Sequence, residues 1–230
     1  MIPARIGSKR IPKKNLRLIE EQPLISYVLE TIKKTDIFDE VYLNADDEIF
    51  GKIANEYNVG FYHRDKSLAS DSSTNDEFMY DFMNNVQSDI VIQILPTSPL
   101  LTKQEIVDFV NYMINQKLET LISVEHKQIG SVYKNRPINF DKFKKNPPSQ
   151  EMEPIKAYAT VLMGWESKAF QSNIEKYGCA YHGGDSKTDY FELKGLSTID
   201  IDNEEDFLLA SSIIKSLKNK NKNEEIKYYE

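Results

Sequence analysis

Two short segments at opposite ends of the chain carry residue types suited to phosphate chemistry. Residues 3–15 read PARIGSKRIPKKN and supply Arg5, Lys9, Arg10, Lys13 and Lys14 as cations. Gly7 and Ser8 leave the backbone open, so that amide groups can face phosphate oxygens. A triphosphate needs such a cluster, although a solvated basic loop has the same composition. The Walker pattern GxxxxGK followed by Ser or Thr is absent, as is GxGxxG, so neither a P-loop NTPase nor a dinucleotide-binding enzyme is indicated. At the far end stands Asp200-Ile201-Asp202. On extended backbone alternate side chains share a face, so both carboxylates could meet one magnesium ion, with waters and substrate phosphates completing the octahedron. The competing reading makes Asp202 or Asn203 a helix N-cap and Asp200 a surface charge.

The elements that must position these groups follow from the hydrophobic pattern. Strand-like apolar runs alternate with segments of helical period, which predicts an α/β fold with a mostly parallel sheet covered on both faces. Leu24, Ile25, Val28, Leu29 and Ile32 share one face of a helix opened by Pro23. Strands are expected at 40–44, 59–62, 90–95, 120–124 and 159–163, with helices after Asp46, from Thr102, and over 204–217. In the last helix Phe207, Leu208, Ile213, Ile214 and Leu217 are available for burial. The basic loop sits between a fragment of strand and a helix, where α/β folds bind ligands. The rhythm fails over about 126–157, rich in Lys, Asn, Pro and aromatics, which reads as an excursion making an oligomer contact. Residues 1–220 are read as one domain and 221–230 as a charged, frayed tail.

Composition narrows the partners. The 230 residues, 40 % apolar, suffice for one substantial core, and the net charge of −7 disfavours DNA or RNA. With one cysteine, Cys179, no internal disulfide forms, and the thiol reads as buried or inert. A basic start and no long apolar run give neither a signal peptide nor a membrane span, so a cytoplasmic protein is expected. His63, His126 and His182 lack metal-ligand spacing, so no zinc site is expected. Gly183-Gly184, followed by Lys187, reads as a plain turn or as a loop closing over a sugar.

The opening IPARxGSKxxPxKN, PTSPL at 96–100 and DIDxxxDF at 200–207, in that order and spacing, resemble the acylneuraminate cytidylyltransferase (CMP-sugar synthetase) family. LASD at 68–71 with Thr74 resembles its nucleotide-contacting segment, so the similarity spans about 1–125 and 157–212. The resemblance implies a Rossmann-like nucleotidyltransferase fold, a homodimer formed through the excursion, magnesium, and transfer of CMP from CTP to a small acidic 2-keto-3-deoxy sugar with release of pyrophosphate. It implies that Arg5 and Lys14 neutralise the triphosphate, that Ser8, Lys9 and Asn15 contact the nucleotide, and that Asp202, assisted by Asp200, ligates magnesium. Arg64, Asp71 and Thr74 would lie beside cytosine and ribose.

The chain also departs from that pattern. Sialic-acid members show QPTSPLR, where this chain has Leu95 and Leu101, losing an amide and a guanidinium; Ser149-Gln150 replaces an RQ pair, and 158–165 lacks NGAIY. The acceptor sugar is therefore expected to differ, and KRIPKKN is closer to members acting on pseudaminic or legionaminic acid. Only Met1 and Ile2 precede Pro3, so a shortened first strand is expected. The alternatives are a related nucleotidyltransferase acting on a sugar 1-phosphate or another acidic acceptor, and a catalytically silent nucleotide-binding protein.

Overall fold

The computed structural model describes residues 1–219. The chain opens with β1 (Ile2–Pro3), and the basic loop follows it. A small hairpin, β2 (Leu18–Ile19) and β3 (Gln22–Pro23), leads into α1 (Leu24–Lys33), β4 (Tyr42–Ala45), α2 (Glu48–Glu56) and β5 (Gly60–His63). Next come α3 (Asn75–Asn85), β6 (Ile90–Ile94), α4 (Lys103–Asn115) and β7 (Thr120–Lys127). After a two-stranded arm, β8 (Val132–Tyr133) and β9 (Arg136–Pro137), the chain closes with β10 (Ile155–Glu166), α5 (Ser167–Tyr177), β11 (Thr188–Glu192) and α6 (Glu204–Asn219).

β1 pairs in parallel with β4, and β4 with β5. The Met1 nitrogen donates to the Ile92 carbonyl at 2.8 Å and the Met1 carbonyl accepts from the Ile94 N–H at 3.0 Å, which joins β1 to β6. The strand order is therefore β5-β4-β1-β6-β10-β7-β11. β10 runs antiparallel to both neighbours and β11 parallel to β7. The sheet is mostly parallel, with one reversed strand inside it, and the C-terminal ends of β1, β4, β5 and β6 share an edge.

Helical period decides which face each helix serves. Ile25, Val28, Leu29 and Ile32 of α1, Phe50 and Ile53 of α2, and Ile106, Phe109 and Met113 of α4 cover one side of the sheet. Met79, Phe82 and Met83 of α3 and Phe170 of α5 cover the other, around Trp165. A third cluster joins Phe207, Ala210 and Ile214 of α6 to Leu24, Ile11, Ile19 and Ile201. Capping boxes at Thr74 with Glu77 and at Thr102 with Glu105 start α3 and α4.

Several expectations shift. Positions 207, 210 and 214 take the core face of α6, so Leu208 and Leu217 stay 56 % and 49 % exposed, against the burial expected for them. The strand expected at 159–163 is the middle of the much longer β10, and β7 runs on to Lys127, so residues 128–154 lie off the sheet. Cys179 is exposed, not buried. Gly183 and Gly184, at φ 97° and 52°, make a turn pinned by Asn173, whose Nδ2 donates to the Gly183 carbonyl at 3.1 Å. A Cβ on Gly184 would lie 2.3 Å from Asn173 Oδ1, which leaves room for glycine alone. The tail 221–230 lies outside the described residues. Among the described residues no helix is long and apolar enough to cross a membrane.

Candidate active site

A cleft of about 530 Å³ opens at the sheet edge where β1 and β6 end. The basic loop forms one part of its wall, the turn Leu95, Pro96 and Thr97 another, and Asp200 with Asp202 a third. The residues singled out at the two ends of the sequence therefore meet across one cavity. Ile11 is fully buried in the third core cluster and anchors the middle of the loop, which leaves the flanking cations facing the opening. Asp46, buried at the end of β4, accepts from the Ile6 N–H at 3.0 Å and fixes the start of the loop.

The cations divide into three groups. Arg5 Nη1 lies 3.1 Å from Asp71 Oδ1 and also donates to the carbonyls of Ser70 and Ala69, while Lys9 Nζ holds the other carboxylate oxygen at 2.9 Å. These contacts, Lys9 foremost, hold the Asp71 carboxyl below its usual range. Arg64 is buried beneath them, donating to the Ala4 carbonyl at 2.7 Å and stacked 4.7 Å from the Phe78 ring. Burial pushes the Arg64 guanidinium down to about 10, which leaves it charged at neutral pH, and among the described residues its Nε has no partner. On the opposite wall Arg10 Nη2 meets Asp202 Oδ1 at 2.7 Å, and Lys14 Nζ donates to the Ile201 carbonyl and lies 3.6 Å from the same Asp202 oxygen.

The carboxylate segment is extended but is not a strand. It follows a 3-10 turn, Gly195–Thr198, and is tied by the Ile201 N–H to the Thr97 carbonyl at 3.0 Å. Ile201 points into the core, so Asp200 and Asp202 both turn to the cleft. The N-cap alternative falls to its neighbour: Asn203 Oδ1 accepts from the N–H groups of Glu205 and Asp206 at 2.9 and 3.1 Å, which frees Asp202. Arg17 grips Glu204 with two hydrogen bonds, 2.5 and 2.7 Å, and its guanidinium covers the Phe207 ring at 4.0 Å, locking this segment to the basic loop.

Burial raises the Asp200 carboxyl and lowers the Lys14 ammonium, each moving toward its neutral form. Among the described residues Asp200 Oδ1 is buried without a hydrogen-bond partner. An orphaned carboxylate oxygen beside a second carboxylate is the donor chemistry of a hard cation. Among the described residues no group of three or more His, Cys, Asp or Glu could hold a metal. Two carboxylates, one with an unpartnered oxygen, fit a hard cation only if waters and phosphates supply its remaining ligands.

Of the expected site residues, Arg5, Ser8, Lys9, Lys14, Asn15, Arg64, Asp200 and Asp202 line the cleft. Asp71 does not line it but clamps two of the cations that do. Thr74 does not line it, and its hydroxyl caps α3 by accepting from the Glu77 N–H at 3.3 Å. Leu95 lines the cleft, whereas Leu101 is buried in the main core and does not line it. Asp46 and Phe78 were not among the expected site residues, whereas Thr97 lies in the PTSPL segment that the resemblance singled out. Asp46 had a signal, being an acid at the end of a strand.

A further aromatic group stands beside α3. Asp76, in the first turn of α3, accepts from the N–H groups of Ala180 and Tyr181 at 2.7 and 2.8 Å. The Tyr158 ring lies 5.6 Å from His182 and 6.1 Å from Tyr190, and Lys156 Nζ lies 5.5 Å over Tyr190. These residues come from four separate segments, which is why no motif announced them.

A cationic and carboxylate-lined cleft at the C-terminal edge of a mostly parallel sheet lies where open α/β folds bind their ligands. The cytidylyltransferase family profile matches residues 1–157, and the chain belongs to that family. It is 27 % identical to the N-acylneuraminate cytidylyltransferase of Escherichia coli over 239 aligned positions, covering 93 % of this chain and 51 % of that protein. It is 39 % identical over 109 positions to the pseudaminic acid cytidylyltransferase of Campylobacter jejuni, covering 45 % of this chain and 47 % of that one. The chain spans about half the length of these curated relatives. Its fold is that of a CMP:2-keto-3-deoxy-manno-octonic acid synthetase solved with CTP, with a TM-score of 0.72 at 15 % identity, covering 94 % of this chain and 97 % of that one.

Proposed function

We propose that the chain transfers CMP from CTP to an acidic 2-keto-3-deoxy sugar, a nonulosonate such as a sialic, legionaminic or pseudaminic acid, and releases pyrophosphate. The observation that carries this reading is the cleft itself, in which Arg5, Lys9, Arg10, Lys14 and Arg64 face the Asp200 and Asp202 pair with its orphaned oxygen. The names of the family and of the curated relatives support cytosine as the base and a nonulosonate as the acceptor.

The triphosphate lies along the loop opened by Gly7 and Ser8, with Arg5 and Lys14 neutralising it from opposite walls. The acceptor's anomeric hydroxyl attacks the α-phosphorus, an oxygen–phosphorus bond forms, and the bond to pyrophosphate breaks in line with it; the hydroxyl proton passes to solvent. No covalent enzyme intermediate is required, so positioning and charge stabilisation supply the rate. Arg5 presents a planar fork to the oxygens on which charge grows. Asp200 and Asp202 would hold magnesium, which when bound neutralises phosphate charge that the cations alone leave. Cytosine is placed between Arg64, Phe78 and Leu95, and the sugar on the side of Tyr158, Tyr181, His182 and Tyr190. Lys156 there suits a carboxylate-bearing acceptor.

The reading extends to a homodimer assembled through residues 128–154, where Ile129, Val132, Tyr133, Ile138 and Phe143 are exposed, Phe143 at 93 %. It also places the reaction in the cytoplasm. The decisive experiment incubates the protein with CTP, magnesium and a panel of nonulosonic acids and sugar 1-phosphates, following pyrophosphate and product mass. A CMP-linked product with a nonulosonate is expected. Purine triphosphates used as well as CTP, or products formed only with sugar phosphates, would overturn the reading; light scattering tests the dimer.

A further inference from the structure

Opposite the centre of β7 the neighbouring strand departs from regular pairing. Tyr158 of β10 pairs with Val124 and Met163 with Ile122, so residues 159–162 face Ser123 alone. Thr160 stands at the corner of this bulge with φ 55°, a left-handed conformation that a β-branched residue adopts only under constraint from its surroundings. Two displaced backbone groups find partners on either side. The Leu162 N–H donates to the fully buried Ser123 Oγ at 3.0 Å, and the Val161 carbonyl turns to β6 and accepts from the Leu95 N–H at 3.0 Å. Leu95 begins the turn whose Thr97 carbonyl accepts from the Ile201 N–H, between Asp200 and Asp202. One unbroken series of buried hydrogen bonds and short backbone spans therefore runs from the Ser123 hydroxyl to the carboxylate pair.

We propose that Ser123, remote from the cleft lining, is a positioning residue for Asp200 and Asp202. This rests on the reading of that pair as the holder of the divalent cation. The hydroxyl fixes the bulge, the bulge fixes Leu95, and the turn after Leu95 sets the carboxylates. An N–H left unpaired at Leu162 would draw the bulge toward another partner, and the shift would emerge at the far end as misplaced oxygens.

The test compares two β-branched variants of equal shape, Ser123→Thr, which keeps the acceptor oxygen, and Ser123→Val, which removes it. Mn²⁺ binding in the presence of CTP is read by electron paramagnetic resonance, and steady-state kinetics are measured alongside. Ser123→Thr should match the parent. Ser123→Val should bind Mn²⁺ about tenfold more weakly and lose about tenfold in kcat, with KM for CTP unchanged. Should Ser123→Val not fold, Ser123→Ala, which adds no volume, carries the same expectation. Equal Mn²⁺ affinity in the hydroxyl and non-hydroxyl variants would overturn the proposal, as would a parent that binds no Mn²⁺ or a loss confined to KM. If no acceptor supports pyrophosphate release but the contrast in Mn²⁺ affinity remains, the transfer reading fails and the positioning role stands.

Discussion

Each wall of the cleft carries an exposed ion pair, Arg5 with Asp71 and Arg10 with Asp202, but only the second has buried charged groups, Lys14 and Asp200, behind it. On one, Arg5 and Lys9 share Asp71 in the open, with Lys9 three-quarters exposed. On the other, Lys14 is 14 % exposed beside Asp202, and burial moves Lys14 and Asp200 toward neutrality. Exposed pairs contribute little to stability, so Arg5 and Lys9 can exchange the Asp71 carboxylate for phosphate oxygens at small cost. The half-buried wall cannot rearrange so cheaply, and its groups are held in place before any ligand arrives. One wall is thus suited to capturing an anion and the other to fixing it for reaction.

The largest consequence of that contrast should appear at Asp202. Asp202→Asn keeps the size of the side chain but removes the charge that faces Arg10, Lys14 and the proposed cation. Turnover should fall by about 10² or more at saturating magnesium, with the melting temperature nearly unchanged. Near-normal turnover under those conditions would show that the carboxylate wall is not catalytic.

Arg5 sharpens the comparison, because it sits on the capturing wall yet has a fork that suits the transition state. Arg5→Lys should retain KM for CTP within about twofold through its point charge and lower kcat by about tenfold, whereas Arg5→Ala should damage both. A lysine variant with normal kcat and a raised KM would make Arg5 a capturing residue only.

The sequence showed the two walls because each is a local motif, a run of five cations and a DID, and it showed the α/β alternation because helical and strand periods differ. At Thr74 the hydroxyl and Glu77 form a capping box, which the spacing Thr-x-x-Glu already spells out. The resemblance offers Arg64 a place beside the base, but its burial on Phe78 is not legible in the sequence, because burial on that scale depends on packing from distant segments. β10 was read at less than half its length because its first residues, IKAY, alternate too weakly to stand out from the polar excursion. Its reversed direction and its bulge depend on pairing with both neighbours, which no single segment encodes.

Stability should respond on the fixing wall in the direction opposite to activity. The Asp200 carboxyl is raised chiefly by burial, so its ionised form costs the native state stability at pH 7. The carboxyl takes up a proton as pH falls through its raised native value, and the cost disappears. Asp200→Asn should therefore melt above the parent at pH 7, with an advantage that shrinks toward acid pH, while losing turnover. A variant that melts lower at pH 7 would mean that the attraction of Lys14 outweighs burial.

The smallest effect belongs to Lys9, and it tests the capturing wall without disturbing the fold. Its ammonium is largely in water and its ion pair among the described residues is to a carboxylate that Arg5 also holds, so deleting it leaves Asp71 partnered. Lys9→Ala should raise KM for CTP by about threefold at low ionic strength and leave kcat and the melting temperature at parent values. Because both charges are open to solvent, the effect should fade as salt rises and the Debye length drops below about 10 Å. The salt series is the informative part. An exposed capturing cation loses its influence with added salt, whereas a cation fixed against the reacting phosphate keeps it. A KM effect that persisted at high salt, or a loss in kcat, would place Lys9 with Lys14 among the fixing groups and erase the distinction between the walls.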